Sequence, residues 1–261
     1  LTDRKGGERA VAHIQVENRD RAVILKLDRG STNPLNLELV RELTDCIRRA
    51  REDPGILGLV LASSDEKFFC IGFDLPELLE ASNEEFTTFY RAFNLLCIDL
   101  YRMPKPTAAG ITGHAVAGGC ILAICCDYRV IAEGRRLMGV NEVNLGVPVP
   151  YPGERILIDI LRGADAREVI GTGEFYEPEK CLEMGMVDEV VPVDQVLTRA
   201  VKRVSALGGL PAGAFRAAKL DRTEPVIEEI EKRLAEKEKS FMECWYSEEA
   251  RKRLQEARKK F

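Results

Sequence analysis

Gly113-His-Ala-Val-Ala-Gly-Gly-Cys-Ile-Leu-Ala-Ile-Cys-Cys-Asp127 is the stretch on which the reading of this chain turns. Between Ala115 and Cys126 no charged, hydroxyl or amide side chain interrupts it. A run that is apolar on every side predicts a fully buried helix rather than a surface one. Gly118 and Gly119 at its start leave backbone N–H groups bare at a helix N-terminus, where the dipole favours negative charge. Such a place can hold an oxygen that becomes anionic during a reaction. The same glycine pair also suits close packing of the helix on a strand, and the pair alone does not choose between the two.

A second stretch, Phe68-Phe-Cys-Ile-Gly-Phe-Asp-Leu75, repeats the theme. A strand-like start runs into Gly72, and Asp74 is placed to cap a helix with Pro76 in its first turn. The N–H groups of Gly72 and Phe73 are then expected to face open space at a helix start.

Around these two stretches the chain alternates strands and helices. Residues 11–17 and 22–27 read as a hairpin, and 28–34 as a loop dense in turn formers. An amphipathic helix is predicted over 35–51, a buried strand over 56–62, a long helix over 84–103 and a short strand over 107–112. Residues 128–132 and 136–140 read as two strands around the Glu133-Gly134 turn. Helices are predicted over 154–161, 164–171 and 178–184, then a turn and a strand ending at Val191. Residues 194–207, 211–220 and 225–260 read as helical, with Pro225 opening the last of these.

Composition narrows the function classes. With 45% hydrophobic and 31% charged residues in 261, the chain can bury a full core. The net charge of −5 leaves no footprint for nucleic acid or an anionic membrane. No apolar run reaches the ~20 residues that span a bilayer. The polar start, Leu1-Thr-Asp-Arg-Lys-Gly-Gly-Glu, lacks the apolar core of a signal peptide, and the absence of Met there suggests a processed or recoded end. The eight cysteines lie mostly inside apolar patterns, form no C-x-x-C, and are accompanied by only two histidines, so neither a zinc site nor any other metal is expected. Buried reduced thiols are the better account.

Phe69-Cys-Ile-Gly72-Phe73-Asp74, the central stretch ending in Cys126-Asp127-Tyr128-Arg129, Asn141-Glu142 with Leu145-Gly146, and Gly185-Met-Val-Asp188 occur in that order. Together they resemble the crotonase (enoyl-CoA hydratase/isomerase) superfamily across nearly the whole chain. The resemblance implies an α/β fold of ββα turns in a spiral over residues 1–200, and a C-terminal helical region over 201–261. It implies an acyl-CoA thioester as substrate, no cofactor beyond the coenzyme A that is part of it, and a homotrimer or a hexamer built as a dimer of trimers. Cytoplasmic placement is expected if the source is bacterial, and the mitochondrial matrix if it is eukaryotic. Carried over by motif position, the backbone N–H groups of Phe73 and Gly118 form an oxyanion hole. The loop Ile71, Gly72, Phe73, Asp74 and Leu75 receives the coenzyme A moiety.

Hydratases of this family carry two glutamates. The first position, two residues after Gly119, is Ile121 here; the second is Glu142. Adding water across a double bond calls for two carboxylates, whereas moving a double bond needs one base. Gly139-Val-Asn141-Glu142-Val-Asn144-Leu-Gly146 further resembles the segment of mitochondrial-type Δ3,Δ2-enoyl-CoA isomerases in which a single glutamate follows an asparagine. That resemblance implies Glu142 as the catalytic base, with Asn141 beside the acyl chain or the base. Ile121, Val143 and Val147 are expected to raise the Glu142 pKa by desolvation. Hydratase-like, hydrolase and decarboxylase chemistries on the same scaffold remain alternatives, as does a non-catalytic scaffold or RNA-binding role. Glu154 is a rival base if its turn folds inward. His114 and Cys120 read as packing residues, and Asn144 as a turn residue. Phe241, Trp245 and Tyr246 read as packing against the core or a neighbouring subunit, or as closing the acyl pocket.

Overall fold

The computed structural model describes residues 13–259. The expected strand start at Val11 and Ala12, the polar N-terminal stretch, and the helix end at Lys260 and Phe261 lie outside them. β1 (Ile14–Arg19) and β2 (Ala22–Leu27) form the expected hairpin, with Ile14 opposite Leu27. α1 (Leu37–Glu52) follows, its first turn capped by the Asn36 side chain, which accepts from Leu39 N–H. Then come β3 (Gly58–Ser63), β4 (Phe68–Cys70), the single-turn α2 (Leu75–Leu78) and α3 (Asn83–Tyr101). The Ser82 and Glu85 capping box opens α3. β5 (Thr107–Ile111), β6 (His114–Val116) and α4 (Gly118–Ile124) make the central element, followed by β7 (Tyr128–Ala132) and β8 (Met138–Gly139).

Beyond a 3-10 turn at Glu142–Leu145 lie α5 (Tyr151–Ile160), α6 (Gly163–Thr172), α7 (Pro178–Met184) and β9 (Glu189–Val191). α8 (Val196–Gly208), α9 (Ala212–Trp245) and α10 (Glu248–Arg258) complete the described chain. None of these helices is long and apolar enough to cross a membrane.

A six-stranded sheet has the order β1-β2-β3-β5-β7-β9, parallel except for the first hairpin. Both of its faces are covered, which is why its inner strands read as unbroken apolar runs. On one face Ile24, Val60, Ala108 and Val130 meet Val196, Ala200, Val201 and Val204 of α8. On the other, Leu25, Leu61, Ala109 and Ile131 join the main core with α1, α3 and α4.

A small parallel sheet, β4-β6-β8, runs beside it. The two strands read around the Glu133-Gly134 turn are both present but do not pair with each other. The Glu133-Gly134 turn carries the chain from the large sheet to the small one, where β8 pairs with β6. β6 itself is a strand that the apolar continuity of the central stretch had hidden.

The C-terminal helices depart from expectation twice. Pro225 does not break α9. A proline inside a helix costs about 3 kcal/mol, but Val226, Ile227 and Ile230 bury themselves on the core just beyond it, which outweighs that cost. The break falls at Tyr246 instead, where Ser247 accepts from Ala250 N–H and starts α10 in a new direction.

An ion-pair cluster ties α9 to the central element. Asp127 accepts from Thr107 N–H and from the buried Lys219 at 2.6 Å, and pairs with Arg222. Arg129 is likewise held between Asp188 and the Cys126 carbonyl. All eight cysteines are unpaired thiols, six of them buried. Burial pushes Cys70 up to about 12, so these thiols pack as small apolar groups.

Candidate active site

The donor loop after β4 is built by its neighbours in the chain 28–35. Ile71 N–H donates to the Thr32 carbonyl, Leu35 N–H to the Gly72 carbonyl, and Asp74 N–H to the Leu35 carbonyl. The Asn33 amide, buried, donates to the Phe69 carbonyl and to Ser63 Oγ. These bonds leave Phe73 N–H with no protein acceptor among the described residues. Gly72 takes φ +97, a conformation that side chains resist. A Cβ there would also stand 2.9 Å from Ala117 Cβ and 3.0 Å from Gly118 N.

Ala117 separates β6 from α4 with φ +49 and ψ −125. Such a conformation in a residue with a Cβ costs of order 1–3 kcal/mol, and the fold holds it where β6 must turn sharply into α4. Gly118 N–H, the first of the helix, is likewise without a protein acceptor among the described residues. Gly118 lies against Phe73: a Cβ on it would stand 3.3 Å from the Phe73 ring. Gly119 is the packing glycine of the pair, since a Cβ on it would sit 2.2 Å from the Cys70 carbonyl oxygen. The two readings of Gly-Gly therefore divide between its two members.

Both free N–H groups adjoin a cavity of about 260 Å³. Ile71, Phe73, Leu75, Gly118, Asn141 and Glu142 line it, so six of the sequence-predicted site residues meet at one place. Gly72 and Asp74 do not line it. Gly72 backs the donor loop. The Asp74 carboxylate is occupied by Arg29 at 2.6 Å and by Glu77 N–H, which it caps.

Glu142 opens the 3-10 turn and is 6% exposed. Its Oε2 is buried without a hydrogen-bond partner among the described residues. Burial pushes its carboxyl up from the ordinary value to about 7, and the nearby backbone N–H groups of Glu142 and Asn141 pull the other way without cancelling it. Val147 lines the cavity beside it, as expected. Val143 does not contribute: it is turned outward and exposed. Ile121 is fully buried beneath Gly153.

Glu154 does not reach the cavity; it lies near Lys237, Arg155 and Arg233. His114 accepts from Leu137 N–H through Nδ1 and packs on Phe68. Asn144 donates to the Thr172 and Gly173 carbonyls, bracing the turn that carries Glu142.

The rest of the wall escaped the sequence reading in part. Phe175 and Pro150 had no signal in a single sequence, nor had Leu254 and Ala257 of α10. Phe241 and Trp245 pack on the core, as read from the sequence, and also line the cavity. Trp245 stacks on Phe86 at 4.1 Å and Phe241 on Tyr90 at 4.1 Å, while both line the cavity. The assembly puts two free N–H groups and one near-neutral carboxyl around one apolar chamber. It can accept a developing oxyanion and exchange a proton with a carbon beside it.

Known proteins resemble this chain in sequence and in fold. Residues 17–261 match the enoyl-CoA hydratase/isomerase family. The chain is 31% identical over 188 residues to the mitochondrial enoyl-CoA delta isomerase 1 of Mus musculus, covering 72% of this chain. That match spans 65% of the mouse protein's own length. It is 26% identical over 248 residues, 92% of each chain, to the crotonyl-CoA hydratase of Syntrophomonas wolfei. The crystal structure of human mitochondrial delta3-delta2-enoyl-CoA isomerase superposes with a TM-score of 0.91 at 25% identity, covering 95% of this chain and 98% of the other. The extent of the family match, together with the fold and the cavity, shows that the chain belongs to the enoyl-CoA hydratase/isomerase family, the crotonase superfamily.

Proposed function

We infer that the chain is an enoyl-CoA isomerase that converts 3-enoyl-CoA thioesters to 2-enoyl-CoA thioesters. The observation that carries this reading is the count of acids in the cavity. Glu142 is the one carboxylate lining it among the described residues, and the position of the family's other glutamate is the buried Ile121.

The Glu142 carboxylate takes a proton from C2 of the bound thioester. The electron pair released from that C–H bond moves into the conjugated system and places negative charge on the thioester oxygen. Phe73 and Gly118 N–H donate to that oxygen, each preset donor contributing about 3 kcal/mol to lowering the barrier. Glu142 then returns the proton to C4, and the double bond comes to rest between C2 and C3. A carboxyl near pH 7 suits both halves of the shuttle, since it gives up and takes a proton with little driving force either way. Asn141 lies beside the base on the cavity wall, and the 71–75 loop receives the coenzyme A portion. No cofactor enters the cycle, and assembly as a trimer or a dimer of trimers goes with the same proposal.

Hydration, the reaction named for the Syntrophomonas relative, calls for a second group to hold and activate water. The test is to supply a 3-enoyl-CoA and follow both products. Accumulation of 2-enoyl-CoA without 3-hydroxyacyl-CoA, undiminished in Glu154→Gln, is the expected result. Abundant 3-hydroxyacyl-CoA would overturn the one-base reading.

A further inference from the structure

The far wall of the cavity comes from the C-terminal helices, and it is held from several sides. α10 crosses from one rim to the other. On the side of α2, Arg251 donates to the Leu79 carbonyl at 2.9 Å and Arg258 pairs with Glu80. On the side of the 3-10 turn, Arg253 donates to the Asn144 carbonyl at 3.4 Å. Gly146 there is packed so closely that a Cβ on it would stand 2.9 Å from Ala250 Cα. The end of α9 is fixed in turn by the stacking of Trp245 on Phe86 and Phe241 on Tyr90. Leu254 and Ala257 face the cavity from the clamped α10.

Resting on the isomerase reading above, we propose that α10 sets an upper limit on acyl length. The cavity, about 260 Å³, is bounded on this side by Leu254 and Ala257. A longer chain meets Leu254 and Ala257, and these cannot withdraw unless contacts on both rims break. Each methylene pressed against a fixed apolar wall costs on the order of tenfold in kcat/KM.

The experiment is a chain-length series. Six-, eight-, ten- and twelve-carbon 3-enoyl-CoA thioesters are compared in kcat/KM, and the matching saturated acyl-CoA thioesters in binding affinity. The expected profile is level for the shorter chains and falls, on the order of tenfold for each further methylene, once the chain reaches α10. Leu254→Ala, which removes three carbons from the wall, moves the fall two to three carbons longer. Ala257→Leu, which adds three, moves it shorter. Leu254 is buried and its loss costs stability, so the Ala257 variant stands as the independent arm. A wild-type profile flat or rising to twelve carbons would overturn the limit. So would an unchanged chain-length order in a folded Ala257→Leu. If no 3-enoyl-CoA turns over at any length, the isomerase reading fails, while the saturated thioesters still report whether the wall limits length.

Discussion

Glu142→Gln separates the electrostatics of the site from its chemistry. The wild-type carboxyl is buried among apolar groups, and its pKa rises from the model-peptide value of 4.5 to about 7 in the folded chain. The folded chain therefore holds the proton more tightly than the unfolded one. Stability from this group is fully present below about pH 4.5 and is lost as pH rises through about 7. The loss amounts to roughly 3 kcal/mol, since each pH unit of separation is worth about 1.4 kcal/mol. A glutamine cannot ionise, so it is spared this cost; whatever its amide pays for burial does not vary with pH. The stability of Glu142→Gln relative to wild type is thus expected to climb by about 3 kcal/mol between pH 4.5 and 8.5, or about 6–12 °C in melting temperature for a chain of this size. Denaturant and thermal melts of both proteins, at equal concentration across that range, measure it. A difference that stays constant with pH would mean that the carboxylate is not desolvated, and the account of the cavity would fail with it.

Three further outcomes follow from the same geometry. With Glu142 as base, kcat/KM falls about tenfold per pH unit below a midpoint near 7 and is level above it, read from a pH–rate profile on a 3-enoyl-CoA. Gly72→Ala forces a Cβ into a φ of +97 and to 3.0 Å from Gly118 N; it lowers kcat by tenfold or more and costs roughly 1–3 kcal/mol in a melt. Lys219→Met removes a buried partner of Asp127 far from the cavity and costs about 3 kcal/mol, with KM for the thioester unchanged in the folded enzyme.

The elements that the chain announces most clearly are those whose signal is local. Asp74 with Pro76, the apolar run after Gly118, and the alternation of β1 and β2 each carry their own periodicity or cap. The donor loop and Glu142 were legible because their order along the chain resembles a family. Burial of Glu142 itself was expected from its neighbours, although Val143, one of those named, turns out to face solvent.

What stayed hidden is long-range. β6 is three residues long and exists because it pairs with β4 on one side and β8 on the other. Such short strands have no pattern of their own to read. Pro225 marks a break that burial of the next turn overrides. The true break had a local signal in Ser247 followed by Glu248 and Glu249, a cap with acids in the first turn. The uninterrupted helical composition on either side masked it. That single missed cap is what sends α10 back over the cavity, so the far wall of the site could not be assigned from sequence.

The most direct measurement is single-turnover isomerisation of a 3-enoyl-CoA by Glu142→Gln, paired with its affinity for a saturated acyl-CoA. Loss of the proposed base predicts a rate lower by about a thousandfold or more, with affinity within about threefold of wild type. A variant that binds normally and still isomerises within tenfold of wild type would show that another group moves the proton, and the central claim would fall.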